Sequence, residues 1–331
     1  MKRLIIAVLM CGCAQLAIAA APIIVDNATV TDALKRNVIV WDVRPAGDYA
    51  RGHIPGAISI GDAPKVLRDD NTEDFIATER IEKILGAAGL DPSREIIVYG
   101  SRGTWNPYFG LYTLQYFGAS HARVYHGGIE DWTDAGGPVS REAAQLPAVA
   151  LKLKINAAMT VSTREMVARL NNPGVQIVDV RTPREFSGED IRAIRGGHIP
   201  GALNIPYEHN WIDPDTPAKL AKKQVADNAG MSLKPIDELK QLYAKLDPGK
   251  ETIVYCQSGA RASETAGVLQ QLGFKNVKVY DSSWLGYGNT LDAPANNVTF
   301  FNLGLLNSRL SAMQSRIDQL EKELAESKAR H

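Results

Sequence analysis

Gly52-His53-Ile54-Pro55-Gly56-Ala57 returns letter for letter as Gly197-His198-Ile199-Pro200-Gly201-Ala202, and this pair of hexapeptides decides how the chain is divided. Upstream, Val40-Trp41-Asp42-Val43-Arg44 is echoed by Val178-Asp179-Val180-Arg181. Downstream, Ile96-Ile97-Val98-Tyr99 is echoed by Thr252-Ile253-Val254-Tyr255. The offset between copies grows along the chain. The second copy therefore carries insertions, placed between motifs where loops belong. Two long copies within 331 residues mean two related domains, since a solenoid needs more and shorter repeats.

Each copy alternates short apolar runs with helical patterns. Residues 38–43, 95–99 and 122–125 read as buried strands, as do 176–180, 252–255 and 277–280. Helical patterns fall at 79–88, 107–117, 236–246 and 261–272, with Gly86, Gly89, Gly118 and Gly273 punctuating helix ends. Continuous apolar strands alternating with helices predict an α/β fold, a parallel sheet flanked by helices in each copy. The first domain is expected over 22–140 and the second over 159–298. Residues 141–158 hold Pro147 and several alanines without helix caps, and read as a linker lying along one domain. Thr160 or Ser162 is placed to cap a helix running to Leu170.

The tail, 300–331, differs from everything before it. Leu303, Leu306, Leu310, Met313, Ile317, Leu320 and Leu324 are spaced alternately three and four apart. That is the seam of a coiled coil, and it predicts a homo-oligomer rather than a helix folded back on its own domain.

At the other end, Lys2 and Arg3 precede an apolar run over 4–18 and small residues at Ala17, Ala19, Ala20 and Ala21. This pattern reads as a signal peptide over 1–20, cleaved near Ala19 or Ala20, and predicts a periplasmic or secreted protein. The run is short for a bilayer span. A lipoprotein anchor on Cys13 is the lesser alternative. Basic and acidic residues balance, 37 against 37, so no long-range attraction draws the chain to nucleic acid. Of three cysteines, Cys11 and Cys13 lie in the expected signal. Cys256 is left alone, unable to form an intramolecular disulfide. A lone thiol in an oxidising compartment is either buried and inert or kept for its reactivity.

Its neighbourhood favours reactivity. Tyr255-Cys256-Gln257-Ser258-Gly259-Ala260-Arg261 joins a buried strand to a helix. Such a turn aims successive N–H groups inward, and the helix N-terminus adds partial positive charge. Gly259 lets the loop curl. The paired motifs, their spacing to this loop, His126-Gly127-Gly128-Ile129-Glu130-Asp131-Trp132 and Asp281-Ser282-Ser283-Trp284 resemble the rhodanese (thiosulfate sulfurtransferase) family in its tandem form, over roughly residues 24–297. Cysteine phosphatases use Cys-x5-Arg to hold a phosphate tetrahedron. Here Arg261 makes the shorter Cys-x4-Arg, which matches the rhodanese type.

The resemblance implies that Cys256 attacks the sulfane sulfur of thiosulfate and carries it as a persulfide. The N–H groups of residues 257–261, Gln257, Ser258, Gly259 and Ala260 among them, would hold that anion. Arg181 and Arg261 are the expected partners of the small anionic donor, with an Asp179 ion pair as the alternative for Arg181. A thiol or cyanide is the acceptor, with no metal and no cofactor; 3-mercaptopyruvate is the alternative donor. A carrier that loads sulfur without turning over is the second class of reading. His53 and His198 occupy identical turns, one in a copy with no cysteine, which argues for a structural role. His209 and Trp211 sit in an insertion that could line the mouth, while Trp284 reads as packing. The first copy has Gly100 where Cys256 stands and Trp105 where Arg261 stands, and reads as a catalytically inactive domain that stabilises its partner and shapes one wall of the cleft between them.

Overall fold

The computed structural model describes residues 21–329; the expected signal over 1–20, with Cys11 and Cys13, lies outside them. The first domain runs β1 (Ile24–Val25), α1 (Asn27–Lys35), β2 (Ile39–Asp42), α2 (Ala46–Arg51), β3 (Ile58–Ser59), α3 (Ala63–Leu67), α4 (Thr78–Ala87), β4 (Ile96–Tyr99), α5 (Asn106–Tyr116), β5 (Ala122–Tyr125) and α6 (Gly128–Asp134). The second runs α7 (Thr163–Arg169), β6 (Val175–Asp179), α8 (Pro183–Ser187), β7 (Arg195–His198), β8 (Leu203–Asn204), α9 (Thr216–Ala221), α10 (Ile236–Leu242), β9 (Glu251–Tyr255), α11 (Ala260–Gln271), β10 (Asn276–Val279), α12 (Ser283–Asn289) and β11 (Asn296–Phe300). A long helix, α13 (Leu303–Ala329), follows.

The first sheet has the order β1-β5-β4-β2-β3 and the second β10-β9-β6-β8. Every pairing in both is parallel. Strands β2 and β4 are buried at every position, because helices cover both faces of a parallel sheet. The α/β class expected from the sequence is the one found. One element escaped that reading. Strand β11 pairs antiparallel with β7, setting Asn296 against His198. In the first copy, His53 and Ser140 form the equivalent antiparallel bridge.

Helices α5 and α11 pack the domains together. They are the same helix of the two copies, and both are buried along most of their length. A helix buried on most of its faces needs partners on every side, and each supplies one for the other. A Cβ on Gly267 would stand 2.7 Å from the Tyr108 ring, so glycine lets the two helices close. Tyr108, Phe109 and Leu111 share one continuous core with Ala262, Ala266 and Leu269.

The connecting segment lies along the first domain. Val149 N donates to Gly86 O at 2.9 Å and Asn156 N to Tyr116 O at 2.7 Å. Leu146, Leu151 and Leu153 pack on the core. Ser162 then caps α7, with Glu165 completing a capping box. The tail helix leaves its apolar stripe in solvent: Leu310 is 53 % exposed, Met313 61 % and Ile317 45 %. No helix among the described residues is long and apolar enough to cross a membrane.

Candidate active site

Strand β9 lies between β10 and β6 and delivers Cys256 to the carboxyl end of the sheet, and α11 starts at Ala260. Cys256 is 1 % exposed. It lies on a cavity of about 470 Å³ lined also by Gln257, Ser258, Ala260 and Arg261. Gly259 takes the left-handed conformation, φ 79°. A Cβ there would fall 2.7 Å from Asp281 O, so the turn needs glycine.

The loop carbonyls are tied down one after another. Cys256 O accepts from Trp284 N at 3.1 Å and Gln257 O from Leu285 N at 2.8 Å. Ser258 O accepts from Arg68 Nη1. In a trans peptide the N–H points opposite to the preceding carbonyl. Anchoring the first two carbonyls therefore turns the N–H groups of Gln257 and Ser258 the other way. Two amides are already engaged, because Ser283 Oγ accepts from Cys256 N at 3.1 Å and Gly259 N at 2.9 Å. The expected cradle over 257–261 thus loses Gly259. Among the described residues, the N–H groups of Gln257, Ser258, Ala260 and Arg261 meet no protein acceptor. The last two belong to the first turn of α11, whose donors have no intrahelical partner.

Arg261 lines the cavity, but its guanidinium is forked onto Glu185, with both contacts at 2.8 Å. Burial opposes its charge; the Glu185 hydrogen bond and the charge of Cys256 outweigh that and hold its pKa above the ordinary arginine value. Burial likewise opposes the charge of Glu185, but Arg261 outweighs it and draws the carboxyl down to about 2. Glu185 also closes the capping box of α8 with Thr182 and meets Arg192 Nη1 at 3.3 Å. The Gln257 amide donates to Arg192 O at 2.7 Å, and its Oε1 is buried without a partner. Burial pushes the Glu208 carboxyl up.

Arg181 is a correction. It is 1 % exposed and pairs with Asp179 Oδ2 at 2.6 Å and Gly197 O at 2.7 Å. Its guanidinium lies 4.6 Å over the Trp284 ring, and it does not line the cavity. Arg44 does the same in the first copy, meeting Asp42 Oδ2 at 2.6 Å and Gly52 O at 2.8 Å. This arginine is a bracket that fastens the strand end to the hexapeptide turn. The histidines are equally structural. His198 stacks on Phe186 at 3.6 Å and His53 on Tyr49 at 3.7 Å. Trp211 does not line the mouth either. It is buried, its Nε1 donates to Glu264 Oε1 at 2.9 Å, and neighbouring Tyr207 and Glu208 take the cavity wall instead, with His209 outside it. Trp284 is fully buried packing.

The first domain walls the cleft, as the sequence leads one to expect, but through residues that the sequence did not single out. Pro64, Lys65, Arg68 and Trp105 line the Cys256 cavity, as do Asp69, Asp70 and Glu73 at its rim. Arg68 ion-pairs with Asp281, and Asp74 Oδ1 accepts from Ser282 Oγ at 2.8 Å. The relation is reciprocal. The cysteine-free loop of the first copy keeps the left-handed glycine, Gly103 at φ 71°. The corresponding arm of the second domain covers it: Asn228 Nδ2 donates to Arg102 O at 3.1 Å, and a Cβ on Gly103 would fall 2.2 Å from Met231 Cβ. Arg102 there is held by Asp131 and Asp134. Among the described residues, no cluster of histidine, cysteine and carboxylate side chains is built to hold a metal.

A duplicated α/β domain with a strand–cysteine-loop–helix site defines the class. The rhodanese-like domain profile matches residues 26–135 and 162–290, and the chain belongs to that family. It is 34 % identical over 258 residues to the thiosulfate sulfurtransferase of Corynebacterium glutamicum, covering 74 % of this chain and 80 % of that one. A Saccharopolyspora erythraea protein, provisionally named a thiosulfate sulfurtransferase, is 34 % identical over 75 % of this chain and 86 % of its own. Among solved structures, the anaerobic ergothioneine biosynthesis enzyme from Chlorobium limicola superposes with a TM-score of 0.68 at 22 % identity, over 82 % of this chain and 69 % of that one. That likeness is one of fold. At the level of the family, the chain is a sulfurtransferase.

Proposed function

We propose that the chain takes the sulfane sulfur of thiosulfate onto Cys256 and passes it to cyanide or a thiol. In the first step the Cys256 thiolate attacks the outer sulfur of thiosulfate. A new S–S bond forms, the old S–S bond breaks, and sulfite leaves with the bonding electrons. The enzyme then holds a persulfide anion. In the second step cyanide attacks the outer sulfur, thiocyanate departs and the thiolate returns. A thiol acceptor would leave as its own persulfide. No metal or cofactor is needed for either displacement.

The observation that carries this reading is the loop itself. Its first three carbonyls are tied down, and four amide N–H groups are left around a cavity that has Cys256 on its wall. The test is sulfur loading followed by mass spectrometry, with thiocyanate formation measured in parallel. The wild type should gain one sulfur from thiosulfate and lose it to cyanide. Cys256→Ser should do neither. A wild type that gains no sulfur sinks the reading.

A second donor, 3-mercaptopyruvate, is favoured by one feature. The Arg192 side chain lines the same cavity and is half exposed, which suits a carboxylate. Turnover on both donors ranks them. A persulfide that forms but resists small acceptors would point to a carrier that serves a protein partner. We further infer export through residues 1–20, and self-association through the stripe from Leu303 to Leu324.

A further inference from the structure

Building on the sulfur-transfer reading, we infer that the inactive first domain completes the active site: Arg68 is a positioning and charge-compensating residue for the Cys256 loop, and it sets the affinity for an anionic sulfur donor. Arg68 precedes Ser258 of the Cys256 loop by 190 residues. Its guanidinium nevertheless reaches the loop from across the domain boundary. Nη1 donates to Ser258 O, and Nη2 meets Asp281 Oδ1.

Both acceptors threaten an anion. Ser258 O is the one loop carbonyl that no group of the second domain ties down. Asp281 is a carboxylate only 13 % exposed, packed under Gly259 with Oδ1 2.8 Å from where a Cβ would stand. A bare carbonyl dipole in the Cys256 loop and a bare carboxylate under it would weaken the loop's hold on thiosulfate, and on the thiolate and persulfide as well. One guanidinium, forked between them, neutralises both and leaves the cavity able to take a negative charge. The side chain is fixed for that task. It is 6 % exposed, and its guanidinium is stacked 4.7 Å over the Phe109 ring. It lines the Cys256 cavity.

The second domain repays the contact in kind. Asn228 donates to Arg102 O in the inactive loop, the position that corresponds to Ser258. The two arms grip the same carbonyl of the two loops. Only the arm over the living cysteine brings a cation, whereas the other brings a neutral amide.

The experiment compares Arg68→Ala with wild type, using thiosulfate and an uncharged organic trisulfide as donors. The loading rate and the KM for each donor are read separately, with melting temperature as the control for folding. For Arg68→Ala, the thiosulfate KM should rise about tenfold or more, with a much smaller change for the trisulfide. Adding Asp281→Asn should recover part of the thiosulfate loss, since it removes the exposed negative charge. Arg68→Lys, which keeps the charge but loses the fork, should fall between and serves if the alanine variant does not fold. Equal losses on both donors in a folded variant would mean that Arg68 is only interdomain packing, which overturns the inference. Unchanged thiosulfate KM would overturn it too. A wild type that loads from neither donor would instead defeat the sulfur-transfer reading.

Discussion

At the scale of single residues, Glu185 is the hub of the site's charge. It caps α8, forks with Arg261 and meets Arg192, while burial hides it from water. Its carboxyl sits at about 2, well below the ordinary glutamate value. Folding therefore prefers the charged form. That stabilisation is complete above the unfolded value near 4.5 and is lost as pH falls through about 2. The shift corresponds to an effect on the order of 3 kcal/mol. Glu185→Gln should lower the melting temperature at neutral pH and lose that share of the fall in stability between pH 4.5 and 2. A thermal melt series over pH checks this; an unchanged slope would remove Glu185 from the account.

Residue by residue, the symmetry between the copies is the best guide to role. The two histidines read as structural because one belongs to the copy without a cysteine. The same logic applies to Arg181. Its twin, Arg44, sits in the copy without a cysteine and makes the same two contacts. An arginine that makes the same bracket in both copies is holding the fold. The role of Arg68 had no such local signal. Nothing within its own stretch, Val66-Leu67-Arg68-Asp69-Asp70, says that it faces a loop in the other domain.

At the scale of elements, the strands and helices were legible because the apolar runs are continuous and the glycines stand at turns. Expected strand ends fall within a residue or two of those observed: 122–125 for β5, for example, and 252–255 inside β9. Strand β11 was not legible. Asn296-Asn297-Val298-Thr299-Phe300 is exposed throughout, and an exposed edge strand carries no buried stripe to mark it. The cysteine loop depends on one backbone conformation. Gly259→Ala would force an L side chain into the left-handed region and against Asp281. It should cost roughly 1–3 kcal/mol and abolish sulfur loading, with chemical denaturation and mass spectrometry as the two measurements. Two turns into α11, Gly267→Val would drive a branched side chain into Tyr108. It should lower stability by about 1–3 kcal/mol and loosen the contact between α5 and α11. Retained stability would show that the helices can part without cost.

At the scale of the whole molecule, the tail helix presents an apolar seam with no cover in the single chain. In the self-association proposed above, the flanking charges would suit a parallel pair: Arg316 would face Glu321 of a second copy, and Glu323 would face Lys328, by the usual g-to-e rule. At about 1.5 Å per residue, the 27-residue helix makes a stalk of roughly 40 Å. Sedimentation of the intact protein should report twice the chain mass. Ile317→Asp should return it to one chain with thiocyanate production intact. A wild type that stays monomeric at high concentration would refute the pairing.

The crossed arms bear on whether the silent half could be revived. A thiol restored by Gly100→Cys would not stand in a free pocket, because Met231 and Asn228 already fill the ground above that turn, and Pro107 Cγ lies 3.0 Å from the new Cβ. Introduced into a Cys256→Ser background, it should gain no sulfur from thiosulfate by mass. Each half thus reaches over the other's loop: one arm walls the Cys256 cavity, and the other fills the ground where a second cavity would stand.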